Sequence, residues 1–312
     1  MNPALLFDVA LAALAVVAAL SAVAGRDLFA SVAFYIVYGI LIALAWMRLG
    51  AVDVALAEAA IGAGLTGVLL IGAWSQLHRK GATETPPGPS SAARLLAAGA
   101  SASVAVLVAV IFVGLPADGA GLAPAVRENV AESGVSNPVT AVLLNFRAYD
   151  TLMETIVLAV ALAAVWSLTR DELWGGIPGL RQHARDGGVL ATFGRLLPPL
   201  GLLVGVYLVW AGSSMPGGAF QAATVLAAVW LLLVMSGAMD EPAIGSTAIR
   251  LTIVAGPALF LAYGTGGAFL GTFLGFPADV AGMLIVAIEY VLTVSIAATL
   301  ALLVAGVPRR QE

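Results

Sequence analysis

Nine stretches of this chain are apolar over a length that can cross a lipid bilayer, at residues 3–24, 28–48, 53–75, 93–115, 146–169, 196–213, 219–239, 248–264 and 280–306. A spanning helix needs roughly 20 apolar residues, because the hydrocarbon layer is about 30 Å thick and a helix rises about 1.5 Å per residue. Inside that layer no water is available to backbone amides and carbonyls, so single apolar segments must satisfy them internally, as helices. The expectation is an all-α, polytopic integral membrane protein with about nine transmembrane helices. The first segment carries Asp8 and no basic leader, and reads as a retained span rather than a signal peptide.

Composition narrows the chemistry. Of 312 residues, 61% are hydrophobic and 10% charged, against about 45–50% and about 25% in soluble domains. That balance excludes a water-soluble enzyme and a disordered chain, and 14 Lys+Arg against 18 Asp+Glu exclude a nucleic-acid binder. There is no cysteine, and the two histidines, His78 and His183, fall in charged linkers. No cofactor is therefore expected.

Lys and Arg concentrate in cytoplasmic loops. With nine spans, Arg26, Arg79, Lys80, Arg94, Arg170, Arg181, Arg185, Arg195, Arg250, Arg309 and Arg310 fall on one side, while Arg48 and Arg127 fall on the other and Arg147 lies at the membrane edge. This predicts the N-terminus outside and the C-terminus in the cytoplasm. Two linkers, 76–91 with Pro86, Pro87 and Pro89 and 170–186 with Trp174-Gly-Gly-Ile-Pro178, divide the chain. The resulting modules are 1–76 with three spans, 92–170 with two and 187–312 with four. An acidic, Gly/Pro-rich outer loop is expected over 116–137, and an outer hairpin over 263–277. No internal repeat suggests a self-contained carrier.

Charges inside spans cost about 2.5–3.5 kcal/mol on insertion scales and mark functional candidates. In the third span Asp53 stands at the entrance and Glu58 lies about 7.5 Å deeper. Ala59, Ala60, Gly62, Ala63, Gly64 and Gly67 surround Glu58, permitting close helix approach and a kink or π-bulge beside the carboxylate. Glu58 either bonds a neighbouring helix or carries an ion. The fifth span opens with Arg147, Asp150 and Glu154, spaced i, i+3 and i+7 on one expected helical face. These residues form either an orienting salt bridge or a coupled, exchanging set. Glu289 is a lone acid about ten residues into the last span, suited equally to a structural hydrogen bond and to ion conduction. Between the sixth and seventh spans, Pro216, Gly217, Gly218 and Phe220 form a tight structural turn that lacks the Gly-Lys-Ser/Thr ending of a nucleotide loop. Its freed amides make an anion-friendly helix start.

These blocks resemble a known family. Asp53-Val-Ala-Leu-Ala-Glu58-Ala-Ala-Ile-Gly-Ala-Gly64 resembles the C-terminal module of the A subunit of Mrp (Mnh) cation/proton antiporters and the small D-type protein of membrane-bound hydrogenases. Asn137-Pro-Val-Thr-Ala-Val-Leu-Leu-Asn-Phe-Arg147-Ala-Tyr-Asp150-Thr-Leu-Met-Glu154 resembles the segment that follows, and Met215-Pro-Gly-Gly-Ala-Phe220-Gln resembles the B-subunit hallmark P-G-G-G-F. Together they cover nearly the whole chain. Asn145 stands where the family usually has an acid, Met153 where it has glycine, and Ala219 where the turn has another glycine.

The resemblance implies an ion-translocating, non-enzymatic subunit of a Mrp-like multisubunit Na+(cation)/H+ antiporter in a bacterial or archaeal cytoplasmic membrane. Glu58 and Glu154 would exchange protons or hold transient Na+, with Arg147, Asp150, Asp53 and Glu289 beside them. Implied partners are antiporter-like A/D-type subunits, small C-, E-, F- and G-type subunits and the lipid bilayer. The alternatives are a membrane-arm subunit of a redox- or carbon-linked complex, such as a membrane-bound hydrogenase, and a structural scaffold for antiporter-like subunits.

Overall fold

The computed structural model describes residues 2–25, 27–79, 90–115, 121–179, 185 and 187–308. Arg26, Lys80, Arg181, Arg309 and Arg310 of the orientation argument, and most of the proline-rich first linker, lie outside them. Among the described residues eight helices are long and apolar enough to cross a membrane, joined by a shorter apolar helix, and none forms a strand. The protein is an all-α, multi-pass membrane protein.

Helices α1 (Pro3–Ala24) and α2 (Leu28–Arg48) form a hairpin whose turn is set by Asp27, which accepts from the Phe29 and Ala30 amides at the start of α2. At the other end Asp8 and Arg48 pair at 2.8 Å. Helix α3 (Val52–Ala57) continues as a π-helical segment, Glu58–Leu65, into α4 (Thr66–Arg79). A Cβ on Gly39 would lie 2.9 Å from the Ala63 Cβ, so α2 and the π segment cross at a small-residue contact.

Helix α5 (Ser91–Gly114) buries none of its residues. The expected coil at 116–137 contains α6 (Ala123–Asn129) and a 3₁₀ turn, Val130–Glu132, within its described part. Helix α7 (Pro138–Ala141) passes through a second π-helical turn, Val142–Phe146, into α8 (Ala148–Ser167). The break falls at Arg147, whose φ of −132° and ψ of 37° are not helical. Arg147 therefore precedes the helix that carries Asp150 and Glu154, instead of sharing one continuous face with them.

The last four helices are α9 (Val189–Gly212), α10 (Ala219–Met235), α11 (Thr247–Phe269) and α12 (Ala281–Ala305). Three glycines of α9 meet α10 in antiparallel order, Gly194 against Ser236, Gly201 against Val229 and Gly205 against Leu226. Helix α12 is the most buried span, packed on α8, α10 and α11. The main core joins Leu144 of the second π turn to Leu152, Ala223, Phe260, Ile285 and Leu292 from those helices. The expected outer hairpin at 263–277 is corrected: Tyr263 to Phe269 belong to α11. Gly264 stays helical because its bare face seats Phe273 and Leu274, and the Tyr263 hydroxyl donates to the Gly275 carbonyl at 2.6 Å.

Candidate functional site

The turn between α9 and α10 is where distant parts of the chain meet. Gly218 has φ +125°, a left-handed conformation that glycine adopts without strain, and its amide donates back to the Leu208 carbonyl at 2.9 Å. A side chain on Gly217 would strike that same carbonyl, and one on Gly212 would lie 2.7 Å from the Gly218 Cα. Pro216 is exposed, Gly217 and Gly218 are buried, and Phe220 packs on the core. The compactness of Pro-Gly-Gly lets α10 begin directly against α9.

Three regions hold this turn. From α3, Asp53 is 8% exposed. Its Oδ1 accepts the Gly217 amide at 2.9 Å, and its carbonyl accepts Gln221 Nε2 at 3.3 Å. From the start of α7, Asn137 Nδ2 donates to the carbonyls of Gly212 and Met215 at 3.1 and 3.0 Å, and Thr140 donates to Gly212 at 2.5 Å. The Ser136 and Asn137 amides both reach the Ser213 carbonyl. From α12, the Glu289 side chain, 2% exposed, approaches Gly218, its Oε1 3.5 Å from where a Cβ there would lie. Two carboxylates, Asp53 and Glu289, from positions 236 residues apart in sequence, thus converge on the turn that starts α10.

Glu58 stands apart from this turn, as the first residue of the π-helical segment. Its carboxylate folds over Gly62, one turn on, and a side chain there would collide with Oε1. The π geometry breaks the regular backbone ladder, and Thr66 donates to the Ile61 carbonyl at 3.0 Å within it. Glu58 is half-buried.

The third group lies on α8. Arg147 Nη2 and Asp150 Oδ2 pair at 2.5 Å, with 63% and 42% of their side chains exposed. Glu154, one turn beyond Asp150, is exposed on the side of α8 away from α11 and α12. Ala148, Leu152 and Thr155 take the core-facing positions of α8. Asn145 donates to the Ser133 carbonyl at 2.9 Å, which ties the break before α8 to the preceding loop.

The six expected site residues therefore occupy three places: Asp53 and Glu289 at the turn, Glu58 in the π segment, and Arg147, Asp150 and Glu154 on an open face. Among the described residues no three His, Asp or Glu side chains gather into a metal-binding group. Sequence reasoning passed over Asn137 as a working residue, although an Asn before Pro is a helix-start signal; its Oδ1 does cap Val139 at 2.9 Å. The clasp by its Nδ2 joins residues 75 and 78 positions apart and carries no local signal.

Comparison with known proteins divides the chain in the same order. Residues 8–79 match the MbhD family, a component of MBH, and residues 189–307 match a domain related to the MnhB subunit of Na+/H+ antiporters. A Mrp complex chain from Dietzia sp. DQ12-45-1b superposes with a TM-score of 0.71 and 28% identity, over 97% of this chain and 35% of that one. An uncharacterised protein of Methanocaldococcus jannaschii is 31% identical over 123 residues, 35% of this chain and 47% of its own length. The chain thus spans less than half the length of both relatives. A chain of an archaeal membrane-bound sulfane sulfur reductase shares the fold, with a TM-score of 0.56 at 24% identity, over 68% of this chain and 96% of that one. The two parts of the chain at 8–79 and 189–307 are thus similar to an MbhD-type module and to an MnhB-related domain.

Proposed function

We propose that this chain is an ion-translocating membrane subunit of a Mrp-like cation/proton antiporter, in which Glu58 and Glu154 are the exchanging carboxylates. The observation that carries the reading is Glu58 in its π-helical segment. An acid deep in an apolar span costs about 2.5–3.5 kcal/mol, and here it is half-buried, has no basic partner among the described residues, and is laid over a glycine beside an interrupted backbone ladder. Such a carboxylate can accept a proton or briefly hold Na+ from a hydrated path. Glu154 is the second exchanging group, with Arg147 drawn onto Asp150 beside it. Its open face is where another subunit would complete the path.

In this reading the division into 1–76, 92–170 and 187–312 follows the subunit equivalences, with the N-terminus outside and the C-terminus in the cytoplasm of a bacterial or archaeal cell. The partners are antiporter-like A/D-type and small C-, E-, F- and G-type subunits. The matches to the MnhB-related and MbhD families support membership of such an assembly. The MbhD match also favours a second reading, the membrane arm of a redox-linked complex, in which the same carboxylates move protons alone.

The test is cation-dependent proton flux in inverted vesicles carrying the complete complex, wild type against Glu58→Gln and Glu154→Gln at matched assembly. Loss of flux in each variant is expected. Undiminished flux in both would reduce these acids to helix-pairing groups and leave the chain a scaffold.

A further inference from the structure

The turn before α10 holds two carboxylates but offers them one helix start. A helix N-terminus carries roughly half a positive charge, concentrated on its first amides. Asp53 takes the direct bond from Gly217 at 2.9 Å and sits at the rim, 8% exposed. Glu289 is deeper, 2% exposed, and its Oε2 has no hydrogen-bond partner among the described residues although solvent does not reach it. A buried carboxylate with an unpaired oxygen costs several kcal/mol when charged, and far less as a neutral acid.

We propose that the Pro-Gly-Gly turn is a proton-binding site in which Glu289 carries the proton, while Asp53 holds the Gly217 amide at the rim. The ligand is a proton held at the seam between α3 and the last four helices. The inference rests on the geometry of the turn and not on the antiporter reading, since it concerns what Glu289 holds rather than what the complex transports.

Among the described residues no cation is paired with Glu289, and Arg147 at the start of α8 is paired with Asp150. Helix α10 and residues 213–218 contain no charged side chain. From α8, Asp150 and Glu154 are directed away from α12. From α11, Tyr263 is bonded to Gly275, and Arg250 donates to the Ile244 carbonyl near the opposite end. On α9, Arg195 is exposed, about 25 Å along the helix from Gly212. Glu132 and Asp279 near the start of α12 are exposed acids, and Tyr290 is turned outward. Glu58 belongs to the π segment and lies over Gly62.

The experiment is infrared spectroscopy of the complete complex in lipid nanodiscs, following the C=O stretch of protonated carboxyl groups at neutral pH in H2O and D2O. Wild type is compared with Glu289→Gln and Glu289→Met. The expected result is a protonated-acid band in wild type that is missing from both variants while the complex still assembles, because a neutral acid can be replaced by neutral side chains of similar volume. Three results overturn the proposal: no such band in wild type, a band that persists in either variant, or failure of both variants to assemble, which would mean that the charge itself is required.

Discussion

Replacing Asp53 separates a residue that holds the turn from one that only carries ions. The carboxylate accepts the buried Gly217 amide at 2.9 Å, next to the N-terminus of the 17-residue α10. A hydrogen bond to a charged group contributes about 1.5–3 kcal/mol, and a negative charge near a helix start about 0.3–1 kcal/mol more. Asp53→Ala removes both and leaves the amide without an acceptor, for a loss of about 2–4 kcal/mol. Asp53→Asn keeps an oxygen for Gly217 and loses only the charge, about 0.5–1.5 kcal/mol. Hydrogen exchange at the Gly217 amide in the complete complex reads this locally, since about 1.4 kcal/mol is a tenfold change in opening. The alanine variant should exchange at least about 30-fold faster and the asparagine variant only about two- to tenfold faster. Equal, unaltered exchange in both variants would refute the clamp, and if proton flux were lost at the same time Asp53 would be a carrier group instead.

Other consequences follow from the same contacts. Asn137→Ala removes two bonds to the Gly212 and Met215 carbonyls and the cap on Val139; it should destabilise by about 2–4 kcal/mol and lower the thermal midpoint of the complex. Gly62→Ala places a methyl group against the Glu58 carboxylate and should cut proton flux at unchanged assembly, whereas Gly72→Ala, with nothing within 4 Å, should leave flux as in wild type. Arg147→Gln breaks a half-exposed pair worth about 0–1 kcal/mol, so thermal stability should hold while flux through Glu154 changes. A large stability loss in that variant would show that the pair is structural.

Much of the architecture is legible in the sequence. The first two helices occupy 3–24 and 28–48, as the apolar runs predict, because Asn2 and Asp27 cap them and Gly25 and Leu49 end them. The π segment begins at Glu58, where the small residues leave room for one. The segment at 263–269 reads locally as a turn because glycines signal turns, yet here they admit Phe273 and Leu274 against a continuing helix. Arg147 falls outside the helix that carries Asp150 and Glu154, because helical spacing presumes an unbroken helix, and Thr151 bonds back to Leu143 across a break that no periodicity marks.

By itself the sequence determined that the chain crosses a membrane as helices, and that its acids stand where charge is costly. Both follow from the absence of water in the bilayer, which acts on each segment independently. Only the tertiary structure decided where those acids go: Asp53 and Glu289 converge on one helix start, Glu58 folds over its own glycine, and Glu154 faces outward. Side-chain spacing sets direction within a helix, whereas the partner across a seam depends on how helices hundreds of residues apart pack together.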